Sequence, residues 1–175
     1  MGCTNGTLPP LDGCAVRPVK GIANIWCGLL SDFVITFTNN KIVNIAKSGV
    51  GVLIPILGAK DFSNAKYSAV VTDGLKTGYK HTVEILNTII SVDAYKTQVD
   101  TADQLVFIVL TNQGEYLVYG AHYGVWKTKL DRDQNANNGQ WSMSFESRTG
   151  MEETFSEYVL LPTIGTAAAK IISLL

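Results

Sequence analysis

Residues 105–110 read Leu-Val-Phe-Ile-Val-Leu and are followed by the turn-forming Asn112-Gln113-Gly114. Successive side chains of a strand point to opposite faces. A strand with no polar residue on either face has nothing to offer water, so this one reads as buried on both sides. Glu115 to Tyr119 runs back from the turn and pairs with it.

The rest of the chain reads as half-buried strands. Ile22 to Leu30 is the first. Phe33, Ile35 and Phe37 then alternate with Val34, Thr36 and Thr38. Asn39-Asn40, which tolerates positive φ, turns the chain into Lys41–Ala46. The Gly/Val/Ile-rich stretch that follows contains Pro55, which confines it to an edge strand or a loop. Lys66–Thr72 and Tyr79–Ile90 pair around Asp73-Gly74. In the second of these, Tyr79, His81, Val83 and Ile85 share one face, and Lys80, Thr82 and Glu84 share the other. His81 therefore reads as a hydrogen-bonded strand side chain rather than a ligand. Val92 to Gln104 is the expected helix, with Ala94, Tyr95, Val99 and Ala102 on one face.

Ala121 to Lys129 continues the sheet with Tyr123, Val125 and Trp126. Gln140 to Phe145 sends Trp141, Met143 and Phe145 inward. A turn at Arg148-Thr149-Gly150 leads to a last strand, Glu153 to Leu161. Thr163 to Leu175 forms a short helix or an apolar strap. Roughly nine strands and one helix make an α+β chain, mainly antiparallel β. With no internal repeat or linker, the chain divides into a Gly/Pro-rich extended arm over 1–20, a single β-rich domain over 21–161, and an apolar extension over 162–175.

Hydrophobic residues make up 46% of the chain and charged residues 17%, against about 25% charged in ordinary domains. This excludes a disordered chain and suits a surface covered by neighbours. The net charge of −1 lacks the basic excess of a protein that grips nucleic acid. Residues 1–80 carry eight basic and four acidic side chains (net +4), and residues 81–175 carry six and eleven (net −5). Either the two halves mix in one folded unit, or they form faces of opposite sign that attract when copies stack. No signal-peptide core precedes Leu8, Gly6 stands where a myristoylation signal needs Ser or Thr, and the longest apolar run, Ser48 to Lys60, is too short to span a bilayer. The expectation is a protein made in a cytoplasm, with no membrane partner.

Motifs for chemistry are sparse. Cys3, Cys14 and Cys27 have no C-x-x-C spacing, and a zinc site would need a fourth ligand. Asp131-Arg132-Asp133-Gln134-Asn135 begins like a calcium loop, but Ala136 and Ser142 stand where glycine and glutamate belong, and the register from Asp133 fails at Asn138 and Ser144. No nucleophile elbow or phosphate loop occurs, and neither His81 nor His122 sits in a triad context. Glu146, Glu152, Glu153 and Glu157 offer paired carboxylates for a glycan-cleaving hydrolase, but they read as a solvated face, without the burial a general acid needs. Tyr116, Tyr119, Tyr123 and Trp126 cluster in one hairpin. They would serve a carbohydrate-binding β-sandwich by stacking on sugars, although strand aromatics more often fill a core or an interface. The chain is thus expected to be no enzyme, with no cofactor, metal or catalytic residue.

Four blocks carry a family resemblance: Gly21-Ile22-Ala23-Asn24-Ile25-Trp26 after a Gly/Cys-containing start; Phe33-Val34-Ile35-Thr36-Phe37; Phe107-Ile108-Val109-Leu110 through Gly114-Glu115-Tyr116-Leu117-Val118-Tyr119-Gly120; and Gly139-Gln140-Trp141-Ser142-Met143-Ser144-Phe145. In order and pattern, residues 20–160 resemble virion proteins of tailed phages that infect Bacteroides-type bacteria, the crAss-like phages among them. The resemblance implies a tail-tube-like β-sandwich or half-barrel with one flanking helix and extended terminal arms. It implies a structural subunit of a homo-oligomeric ring or tube, on the order of six or twelve copies, joined to other tail or portal-complex proteins. Such a ring would be assembled in the host bacterial cytoplasm, reside in the virion tail, and enclose a channel through which DNA passes transiently. Edge strands that would otherwise aggregate serve ring closure in such a subunit.

Overall fold

The computed structural model describes residues 21–56, 63–87, 104–132 and 141–175. The expected arm over 1–20, the helix expected over Val92–Gln104 apart from Gln104 itself, and most of the Asp131–Ser142 loop lie outside the described residues. Within them the chain forms eleven strands and one short α-helix. The strands are β1 (Ile22–Leu29), β2 (Phe33–Thr38), β3 (Lys41–Lys47), β4 (Ile54–Ile56), β5 (Asn64–Thr72), β6 (Leu75–Asn87), β7 (Leu105–Thr111), β8 (Tyr116–Tyr119), β9 (Trp126–Arg132), β10 (Trp141–Glu146) and β11 (Tyr158–Leu160); α1 is Ala167–Ile172. The chain is mainly β, as the alternation predicts.

Seven strands form one sheet, in the order β2-β3-β11-β8-β7-β1-β4, and four form a second, β5-β6-β10-β9. Every pairing is antiparallel except β11 with β3. Turn chemistry accounts for the hairpins. Asn39 (φ 56°) closes β2 to β3, and Asp73-Gly74 (φ 52° and 77°) closes β5 to β6. Two central residues in the left-handed region match the right-handed twist of the flanking strands, which is why Asn, Asp and Gly occupy them. Pro55 lies in β4, at the margin of the seven-stranded sheet, where a missing N–H costs no ladder bond.

β7 lies near the middle of its sheet and is covered on both faces. Leu105, Phe107 and Val109 enter one apolar cluster together with Ile25 and Cys27 of β1, Val83 and Ile85 of β6, and Met143 and Phe145 of β10. This is the layer between the two sheets. Val106 and Ile108 enter a second cluster with Phe33, Ile42, Ile45, Val118, Tyr158, Leu160, Ile171 and Leu174. β2 and β1 are five strands apart in sheet order, about 24 Å if the sheet were flat. The Phe33 ring nevertheless packs directly on Gly28, where an added β-carbon would lie 2.5 Å from it. The seven-stranded sheet therefore curls around the second cluster. The C-terminal segment closes that cluster. It runs beside β3 (Leu161 N–H to Ile42 O, 2.9 Å; Thr163 N–H to Val43 O, 3.0 Å), and Leu53 N–H bonds Leu174 O at 2.8 Å. Of the two forms expected for Thr163–Leu175, the helix is the one found, capped by Thr166 Oγ1 accepting from Ala169 N–H.

Two expected strands are shorter than their patterns suggest. Ala121–Tyr123 is part of a tight turn between Gly120 and Gly124, both at positive φ, and the strand starts at Trp126. Gly120 is required there, because a β-carbon would lie under 3.0 Å from Val125 N, Gly124 C and Leu105 O. The last strand is Tyr158–Leu160, while Glu153 makes only an isolated bridge to Tyr79. Between them the backbone turns to side-chain partners, with Phe155 O bonded to the His81 ring.

Truncating a β7 residue should therefore be costly. Phe107→Ala is expected to lower stability by about 3–5 kcal/mol, and Thr36→Ala on exposed β2 by under about 0.5 kcal/mol, as read by urea denaturation.

Candidate functional site

The most unusual polar group in the described structure is Glu153, whose relative exposure is 0%. Here the structure corrects the expectation of a solvated acidic face. Glu146 pairs with Lys80 on the outer side of the second sheet, and Glu152 Oε1 accepts from Gly150 N–H at 2.9 Å. Glu153 instead turns inward beneath the β8–β9 turn. Its two carboxylate oxygens accept from His122 N–H at 3.1 and 3.2 Å, and Oε1 also accepts from Tyr123 N–H at 3.2 Å. A tight turn leaves such N–H groups without strand partners, and a buried carboxylate satisfies them. Nothing in the run Glu152-Glu153-Thr154 distinguishes the two glutamates. Only the packing of the 147–153 segment on β6 does so, and it requires the close approach that Gly78 permits against Glu152.

His81, also fully buried, grips the same turn from below. Its Nδ1 accepts from Gly120 N–H at 3.3 Å, and Nε2 lies 3.0 Å from Phe155 O. These partners define the neutral ring with the proton on Nε2. His81 is thus a hydrogen-bonded strand side chain, as its alternation implied. Burial pushes its pKa below the usual 6.5, and nearby Glu153 opposes the shift only in part. Tyr158 completes the cluster. Its ring centroid is 6.0 Å from that of His81, and its hydroxyl is buried without a hydrogen bond. Burial first and the Glu153 charge second raise its pKa. Both nitrogens of His81 and both oxygens of Glu153 are held by the protein itself. The cluster therefore acts as a polar pin that ties the β8–β9 turn to β6 and to the 147–157 segment.

The aromatics of the β8–β9 region do not form a sugar-stacking platform. Tyr119 and Trp126 are buried, at 4% and 5% exposure. Tyr119 faces the inter-sheet layer, its hydroxyl 3.5 Å from Ala65 O, and burial raises its pKa. Tyr116 points to the opposite side of the sheet and stacks on Trp26. The Trp126 ring is covered by Arg148, 4.7 Å from its centroid. Tyr123 alone of the four is exposed. Cys27 is a buried thiol whose pKa burial pushes up to about 12. Asp131 pairs with Lys129 at 3.3 Å on exposed β9. Among the described residues no group of three or more His, Cys, Asp or Glu side chains could hold a metal ion, and no helix is long and apolar enough to cross a membrane.

Two surfaces remain. One is an open apolar cleft of about 230 Å³ between β2 and the β8–β9 turn, lined by Leu30, Phe33, Ile35, Phe37, Ala121 and His122. The other is the outer face of the four-stranded sheet. There Lys66 pairs with Glu84 at 2.8 Å, and that hydrogen bond holds the Glu84 carboxyl below the usual carboxylate range. With Lys80–Glu146 and Lys129–Asp131, this face presents charges that are mostly neutralised in pairs. Comparison with protein-family models, curated proteins and solved structures returned no match.

Two outcomes follow from the pin. The folded protein binds a proton at His81 less readily than the unfolded chain does. Its contribution to stability should be intact above about pH 6.5 and lost as pH falls below that. Denaturation midpoints measured from pH 8 to 5 should fall on the acid side, and His81→Gln should flatten the slope. Glu153→Ala, which strands the turn N–H groups, should cost about 2–4 kcal/mol, more than Glu153→Gln, which keeps an acceptor.

Proposed function

We propose that this chain is a virion structural protein, a subunit of a tail-tube-like ring or tube that encloses the DNA channel of a phage tail. The observation that carries the reading is the set of open strand edges. β2 and β4 end the curled sheet, and β5 and β9 end the second. Each is an unpaired row of backbone donors and acceptors among the described residues, and such edges are templates for another chain. The curled seven-stranded sheet backed by a second sheet is the half-barrel arrangement that the family resemblance implies, and pairing edge to edge between copies closes a ring without a new fold.

The outer face of the four-stranded sheet suits a channel wall. A duplex passing over it meets Lys66, Lys80 and Lys129 already paired with carboxylates, so few counterions are released and the DNA is not held. Exposed large apolar side chains at Val34, Val71, Leu75, Ile164 and Ile172 give neighbouring subunits or other tail proteins something to cover.

Sedimentation velocity and negative-stain imaging of the full chain over a hundredfold concentration range test the proposal. Closed rings, or species that grow with concentration, are expected. One compact monomer indifferent to concentration overturns it.

A further inference from the structure

Two unpartnered surfaces of this chain complement each other. The first is the tip of the β5–β6 hairpin. β6 pairs with β10 only from Thr82 to Asn87, so residues 70–77 pair with nothing but each other. A bare two-stranded ribbon is marginal in water, and this one ends in Val71 and Leu75, 61% and 73% exposed. Between them Asp73 holds the turn and makes no ion pair among the described residues. The nearest cation in sequence, Lys76, is drawn back to Tyr79, with its Nζ 2.7 Å from the hydroxyl and 4.5 Å from the ring centroid.

The second surface is the outer side of the C-terminal segment. Ile171 and Leu174 face inward, while Ile164, Ile172 and Leu175 remain outside, with Ile164 90% and Ile172 70% exposed. A helix apolar on both sides is one that something else covers. Its charges are all of one sign. The segment 158–175 and the stretch 41–56 beside it contain Lys41, Lys47 and Lys170 and no Asp or Glu.

We propose that the hairpin tip of one copy docks on the C-terminal helix face of another, with Val71 and Leu75 covering Ile172 and its neighbours and Asp73 facing the lysines. An apolar, acidic tip and an apolar, basic seat on the same chain form a heterologous contact, which repeats from copy to copy and closes a ring where the rotation allows. The inference rests on the assembling subunit proposed above and names one of its contacts. It accounts for charge asymmetry at one place, since the seat is basic and the tip presents a lone carboxylate.

The test uses the full chain, followed by sedimentation, with circular dichroism to confirm folding. Asp73→Lys and Lys170→Glu should each weaken self-association by roughly tenfold, and the double variant should recover most of the loss. Leu75→Cys combined with Ile172→Cys should give disulfide-linked oligomers under oxidation that neither single variant gives. Wild-type assembly with no response to Asp73→Lys, Lys170→Glu or the cysteine pair overturns this contact and leaves the ring reading standing. A wild-type monomer at every concentration overturns both.

Discussion

The organising constraint is a strand that must be dry on both sides. β7 carries Leu105, Phe107 and Val109 to one face and Val106 and Ile108 to the other, all buried. One face is covered by a second sheet. The other is covered by its own sheet, which curls until Phe33 of β2 reaches Gly28 of β1, and by Ile171 and Leu174 of the C-terminal segment. Each buried aliphatic or aromatic side chain contributes about 1.5–3 kcal/mol relative to exposure, so leaving either face open would forfeit the stability of an ordinary domain.

Covering one strand with two layers creates a corner where the chain passes from the first sheet to the second, at Gly120–Gly124. A corner breaks the ladder and leaves N–H groups without partners. His81 and Glu153 take up three of them, from Gly120, His122 and Tyr123. Burying a carboxylate is expensive unless it is hydrogen-bonded in this way. The pin therefore belongs to the architecture: it satisfies the turn, and through the Phe155 and Tyr79 backbone it holds the 147–157 segment on β6.

The surfaces carry the functional argument. The inner layers absorb the aromatics and the acid that sequence alone offered to a glycan site. What is left outside is four strand edges, a face of paired charges, a hairpin tip and an apolar helix side. These features suit contact with other polypeptides, and they agree with a chain in which only 17% of residues are charged.

Much of the fold was legible because strand formation is a local matter. Period-two alternation marked β2, β6 and β10, Asn39 and Asp73-Gly74 marked two hairpins, Pro55 marked a sheet margin, and the unbroken apolar run marked β7. The buried role of Glu153 was not legible, because a glutamate next to a glutamate has the same local signal whether it faces water or the underside of a turn. Tyr116 and Tyr119 looked like one cluster, yet they occupy opposite faces of a strand. Which side is solvated depends on what packs there. The sequence by itself determined which segments are strands and which faces are apolar, since side-chain alternation and turn conformation are set within a few residues. The tertiary structure alone decided that the first sheet curls, that His81 and Glu153 meet beneath one turn, and which apolar residues stay outside, because those outcomes depend on contacts between residues far apart in the chain.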